Sequence, residues 1–330
     1  MIPTFRQDQF VGCAIKSALA QTYPRLEVIC ADDASPDNTR VICCQFDREP
    51  RFRYVRNERN LGKTANYRRT LYHEARGDWV LNLDGDDYLI NPNFVGTAMQ
   101  MTLAVSGLVM VCGQAISAYG DNDIGILMNA SAPFGKIMTG EAYLLAHPPF
   151  RSIGPIHMAT LYKRSIAMKS DFYSLDTLSC DFDCLHRMLL TPKGTAARSI
   201  VFVDSVAGVW RQHSGNMSRR VTTEMALADL AMIQRVSAAL EATKRVSQRD
   251  FARWKRKAAF YALLPYAVQL KRSGELRRFP ELARAMAAFE PRLWAGCVIY
   301  SFFAVSRFLL RRTWRMTSRA SKALKIGKTK

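Results

Sequence analysis

Apolar positions along the first hundred residues follow two alternating rhythms. Ile2-Pro3-Thr4 reads as the end of a strand, and Phe10, Val11, Ala14, Ile15, Ala18 and Leu19 then recur at helical spacing over residues 7–20. Gln21-Thr22-Tyr23-Pro24 stops that helix, and the unbroken run 26–31 predicts a second strand ending in Asp32-Asp33. Ser35-Pro36-Asp37-Asn38 opens a second helix through about residue 46, 52–55 is a third strand, 63–75 a third helix before Gly77, and 79–83 a fourth strand. This alternation predicts an α/β fold, a Rossmann-like, mostly parallel sheet flanked by helices. Further on, Asn91-Pro92 starts another helix, 108–112 and 115–119 predict one or two strands, and 201–204 and 206–210 two late ones. Residues 120–160 carry frequent Gly, Pro and Asn with no period and read as loops that shape a site. From about Thr222 the pattern is helical.

Charge divides the chain more sharply than hydropathy does. The formal net charge is +19 over 330 residues. After position 220 there are 23 Lys and Arg against 7 acidic residues, whereas the first 220 hold 24 against 21. We therefore expect two units: a catalytic or binding domain over 1–220 and a basic helical extension over 221–330. The eight cysteines have no zinc-ligand spacing and are read as reduced thiols of a cytosolic protein. The first residues lack the basic-then-apolar pattern of a signal peptide, and the abrupt start suggests that part of the first strand is missing.

The candidate chemistry starts at Leu83-Asp84-Gly85-Asp86-Asp87-Tyr88. Three carboxylates in four positions behind a covered strand are costly without a cation, and hard oxygen ligands of this kind suit Mg or Mn shared with a phosphate. They fall at the carboxyl end of a strand, where open α/β sheets bind ligands, and Gly85 would let a ligand approach the backbone. An acidic surface turn is the plain alternative. Asp32-Asp33 ends another strand on the same edge and would accept hydrogen bonds from a base or ribose, or else cap the helix that follows. The chain lacks the Gly-x-Gly-x-x-Gly dinucleotide fingerprint. Gly62-Lys63-Thr64 ends like a phosphate loop, but it follows the third strand, too near the acidic strand for the usual NTPase layout.

Taken in order, Ile2-Pro3-Thr4, Ala20 to Pro24, Ala31 to Thr39, Asn57 to Gly62 and Leu83 to Asp87 resemble the inverting family-two glycosyltransferases of GT-A fold. The resemblance covers residues 1 to about 105. It implies a nucleotide-sugar donor, often UDP-linked, and Mn or Mg as cofactor. Carried over position by position, Pro3, Thr4 and Asp33 would border the nucleoside, Asp84 and Gly85 the ribose and diphosphate, and Asp86 would bind the metal. Lys63 would reach a phosphate. Cys180-Asp181-Phe182-Asp183 lies where the family has Glu-Asp-x-Asp, so Asp181 falls on the general base, while Cys180 removes a neighbour that could tune it. Trp210-Arg211-Gln212-His213 is similar to a late motif in which Arg211 would contact phosphate and His213 the metal or diphosphate. A non-catalytic nucleotide-sugar-binding protein and a nucleotidyltransferase on a related fold are the other readings.

The basic third has its own expectation. Residues 293–306 form an uncharged apolar run, too short to span a bilayer, and ten basic residues with no acid follow Glu290. Such a tail favours an anionic membrane surface, which suits a glycan or lipid-linked glycan acceptor and a protein peripheral on the inner face of the cell membrane. No nucleic-acid-binding motif is present.

Overall fold

The computed structural model describes residues 1–119, 125–149, 153–177, 179–213, 216, 222–274, 284 and 289. The apolar run 293–306 and the basic tail lie outside the described residues.

Three parallel strands, β1 (Ile2–Thr4), β2 (Val28–Asp32) and β3 (Phe52–Arg56), pair with β2 in the centre, Thr4 opposite Asp32 and Asp32 opposite Arg56. Helices α1 (Val11–Leu19) and α2 (Thr39–Cys44) cross between them, and α3 (Lys63–Arg69) follows β3. Because parallel strands run the same way, Thr4, Asp32-Asp33 and the segment after β4 (Trp79–Leu81) all emerge at one edge. Met1 joins β1 to that fourth strand: its amino group donates to the Leu81 carbonyl at 2.8 Å, and Leu83 N donates to the Met1 carbonyl at 2.9 Å.

Beyond β4 the sheet is mixed. β9 (Thr160–Lys163) inserts antiparallel between β4 and β6 (Leu108–Tyr119), β10 (Ser199–Gln212) runs parallel to β6, and β5 (Tyr88–Leu89) closes the path antiparallel to β10. Two short strands, β7 (Ile126–Met128) and β8 (Met138–Thr139), flank them. The two late strands expected over 201–210 are one strand, β10, with register shifts against β6 between Phe202 and Gly208. The stretch expected to be loop holds β7, β8, α5 (Gly140–Ala146) and the start of β9. Elements this short carry too few residues for a period to register.

Side chains alternate between two apolar layers. Val201 and Val203 pack with α1 (Val11, Ile15) and α4 (Phe94–Ala104), whereas Ile200 and Phe202 pack with Tyr143, α7 (Cys180–Arg187) and the C-terminal helices. Those helices, α8 (Thr223–Ala242) and α9 (Gln248–Ser273), place Met232, Ile233, Val236, Leu240, Trp254, Ala258 and Ala262 in the same core as β6, β10 and α7. Position 220 thus marks a change of element class and charge, while the described part of the basic third shares the core of the sheet domain. Among the described residues no helix is long and apolar enough to cross a membrane.

Candidate functional site

The Asp84-Gly85-Asp86-Asp87 turn sits at the carboxyl edge of the sheet between β4 and β5, closed by Asp87 N donating to the Asp84 carbonyl at 2.9 Å. Carboxylate oxygens of Asp84, Asp86 and Asp87 all lie within 4.8 Å of one another. Burial, then the charge of Asp84, pushes the Asp86 carboxyl up, with His213 pulling the other way. Asp87, 4% exposed, is pushed up further by burial and then by Asp86 and Asp84. Crowded like charges of this kind are what a divalent cation relieves, and an all-carboxylate donor set fits Mg or Mn.

The end of β10 clamps this turn. Arg211 N donates to Asp87 Oδ1 at 2.9 Å, and the Arg211 guanidinium donates to the Asp86 carbonyl at 2.9 Å. That guanidinium lies 4.9 Å from the ring centroids of both Phe10 and Tyr88. His213 stacks on Phe10, centroids 5.0 Å apart, with Nε2 3.1 Å from Asp86 Oδ2. Arg211 and His213 therefore both reach the acidic turn, Arg211 as a brace on its backbone as well as a charge. Asp87, to which the sequence assigns no role, fastens the turn to β10.

Gly85 is buried under its own chain. A methyl group added there would meet Gln7 Oε1 first and would sit 2.8 Å from Thr4 Oγ1 and 3.0 Å from Thr4 Cβ, so on that side the backbone is covered by Gln7 and Thr4. Thr4 in turn donates to Gln7 Oε1 at 2.8 Å, and Pro3 is buried in β1 opposite Ala31.

Asp33 is 2% exposed and organises the 57–62 loop. Its Oδ1 accepts from Leu61 N at 2.8 Å and Asn57 Nδ2 at 2.7 Å, and its Oδ2 from Gly62 N at 2.9 Å. Gly62 has φ +89°, a left-handed conformation that glycine adopts without strain, and it starts α3. Asp32, fully buried, accepts from Ser35 N at 2.9 Å and Tyr54 Oη at 2.6 Å and pairs with Arg56. Both acids are anchors of the cleft wall.

Lys63, in the first turn of α3, faces the cleft. Burial would lower its pKa, but Asp84 above all, with Asp181 and Asp86 among its neighbours, holds the ammonium up. Asp181 lies on the first turn of α7, and its charge contributes to raising the pKa of Lys63, Tyr67 and His157. The structure thus gathers Lys63, Asp84, Asp86, Asp181, Arg211 and His213, with Thr4, Gly85 and Asp33 beneath or beside them.

A polar network under Asp84 leaves little trace in the sequence pattern. Tyr67 donates to Asp84 Oδ1, and His157 Nδ1 lies 3.9 Å from the same oxygen. His157 Nε2 is 2.9 Å from Tyr173 Oη, and Asn82 bonds to both and accepts from Tyr162 at 3.3 Å. Burial keeps the His157 pKa low against the pull of Asp84. The available signal was Asn82, a polar residue inside the apolar run 79–83. His157 lies in the stretch without period.

The sequence profile of glycosyl transferase family 2 matches residues 1–169. A UDP-Glc:alpha-D-GlcNAc-diphosphoundecaprenol beta-1,3-glucosyltransferase of Escherichia coli is 33% identical over 90 residues, 27% of this chain and 35% of that protein. The matched stretch spans about a third of the length of such curated relatives. Among solved structures, Staphylococcus aureus TarS 1–349 in complex with UDP-GlcNAc superposes with a TM-score of 0.65 at 15% identity, covering 87% of this chain and 79% of that one. The mannosyltransferase PcManGT of Pyrobaculum calidifontis, in complex with GDP-Man and Mn2+, gives 0.51 at 16% identity, covering 93% and 85%. These likenesses show a shared GT-A-like fold.

Proposed function

The chain belongs to glycosyl transferase family 2, and we propose that it is a metal-dependent, inverting enzyme that moves a sugar from a UDP-sugar to a glycan hydroxyl in bacterial surface-polysaccharide synthesis. The observation that carries this reading is the three-carboxylate turn at the parallel sheet edge, faced by Lys63 and Asp181. Asp84 and Asp86 would hold Mn or Mg with His213 beside them, and the ion would supply positive charge for the departing diphosphate. Lys63 opposes the same charge from α3. Asp181 takes the acceptor hydroxyl proton as that oxygen bonds to the anomeric carbon and the bond to the diphosphate breaks on the opposite face. One inversion results.

The C-terminal third supports a lipid-linked acceptor. Arg249, Arg253, Arg256 and Lys257 are exposed on α9, and the Escherichia coli relative is named for an undecaprenol-linked acceptor. Docking on an anionic inner membrane face would keep this enzyme beside such a substrate.

The test is a nucleotide-sugar panel with Mn, read by thermal shift and by release of the nucleoside diphosphate. UDP-sugars should stabilise the protein only with the metal, and Asp181→Asn should retain that stabilisation while losing turnover by about a hundredfold or more. Retained turnover in Asp181→Asn would remove the base assignment. Flotation with anionic vesicles tests the docking.

A further inference from the structure

We propose that Asp229, on α8, is a positioning residue for transfer: through Ser179, and itself held by Tyr266, it fixes the first turn of α7 so that Asp181 faces the acidic turn. This rests on the reading of Asp181 as the base.

The starting observation is a cap that is not made. Ser179 stands at the N-cap of α7, where a serine hydroxyl ordinarily accepts from a first-turn N–H and stabilises the helix. Here its side chain makes no such bond. Its Oγ instead donates to Asp229 Oδ1 at 2.5 Å, fifty residues away in sequence. Tyr266 of α9 donates to Asp229 Oδ2 at 2.6 Å. Asp229 is 6% exposed, and no ion pair to it is present among the described residues. Keeping a carboxylate buried on two hydroxyls costs desolvation that an apolar residue would avoid.

The second tie lies on the other side of Asp181. Asp183 is fully buried, with Arg187 Nη2 at 2.9 Å and Arg235 Nε of α8 at 3.3 Å. Arg235 also donates to Ser174 Oγ at 2.9 Å, just before α7. So α8 grips the residues two before and two after Asp181, which itself stays half-buried on the first turn of α7. Position 180, the expected place for an acidic neighbour, is a buried Cys. The acid that stands near Asp181 comes from α8 instead, and burial, with a contribution from Asp181, raises the Asp229 pKa. The basic C-terminal third is thereby part of the catalytic apparatus and not only a docking surface.

The experiment uses the full chain with Ser179→Ala, Tyr266→Phe, Asp229→Asn and Asp229→Ala, and reads diphosphate release from UDP-glucose, UDP-N-acetylglucosamine and GDP-mannose with Mn. Hydrogen exchange of amides 180–187 is followed alongside. Ser179→Ala and Tyr266→Phe each remove one hydroxyl and should lower kcat about threefold to tenfold with donor KM changed less than about twofold. Exchange over 180–187 should quicken while β6 and β10 keep their protection, with Asp229→Asn milder than Asp229→Ala. Unchanged kcat in both hydroxyl variants, or unchanged α7 exchange in Asp229→Ala, would overturn the proposal. Loss of protection throughout the sheet would reduce Asp229 to a folding role and equally overturn it. Faster α7 exchange together with retained turnover in Asp181→Asn would instead place the failure in the base assignment.

Discussion

Replacing Gly85 by alanine puts a methyl group into space that the Gln7 amide oxygen and Thr4 already fill. The new carbon would lie 3.0 Å from Thr4 Cβ and 2.8 Å from its hydroxyl, against an ordinary carbon–carbon contact of about 3.5–4.0 Å. Thr4 is 3% exposed in a paired strand and cannot retreat. Gln7 can swing away, but its Oε1 accepts the Thr4 hydroxyl, so its departure strands that donor. Overpacking of this degree costs about 1–3 kcal/mol and the lost hydrogen bond about 1 kcal/mol more. For a chain of 330 residues that is a melting temperature lower by roughly 3–6 °C. The alternative relaxation moves the Asp84–Asp87 turn outward, and a displacement of about 1 Å at a reacting site costs on the order of a hundredfold in rate. Scanning fluorimetry with and without Mn, together with diphosphate release, reads both effects. Gly96→Ala is the control: that glycine lies in α4 with nothing within 4 Å of an added methyl, so the same change should leave stability unchanged or raise it by about 0.5–1 kcal/mol. A Gly85→Ala protein that melts within about 1 °C of wild type and keeps its turnover would refute the packing argument.

Arg211→Lys keeps the charge but loses the flat group between Phe10 and Tyr88 and the fixed bond to the Asp86 carbonyl, so Mn-dependent stabilisation should weaken by about 1–2 kcal/mol, read by metal titration. Asp33→Ala strands Leu61 N and leaves Asn57 Nδ2 with Asn66 Oδ1 at 3.0 Å and Gly62 N with Asn60 Oδ1 at 3.1 Å, and should cost about 2 kcal/mol in urea unfolding with an unchanged m-value. His186 is buried, and burial lowers its pKa below the ordinary 6.5 despite the bond from Nδ1 to the Phe182 carbonyl at 2.7 Å. The unfolded chain therefore binds this proton first as pH falls through 6.5, and the stabilisation from neutral His186 is present above that pH and lost as pH falls toward the folded value. The stability difference between wild type and His186→Gln should be larger at about pH 7.5 than at about pH 5.5, measured by urea midpoints.

Much of the fold was legible because its first half is built from runs long enough to show a period. The strand–helix alternation through residue 83 appears as β1 to β4 with α1 to α3. The helix expected over 63–75 is α3 continued by a wide π turn, Thr70–Glu74, whose extra residue per turn leaves an apolar stripe unchanged to the eye. Strand β9 was hidden because four residues carry no rhythm, and its antiparallel insertion is set by β4 and β6, far away in sequence.

Residue chemistry alone determined that three carboxylates must gather at a strand end and need charge relief, because Asp84, Asp86 and Asp87 are adjacent and no local fold can separate them. It also determined that the charge excess lies after position 220. Tertiary structure decided what each group is attached to: Thr4 under Gly85, Asp33 on the 57–62 loop, Arg211 across Asp86, and Asp229 on Ser179. These partners are separated by between 24 and 125 positions. A side chain's role in a buried polar network depends on which donor faces it, and only chain packing brings that donor there.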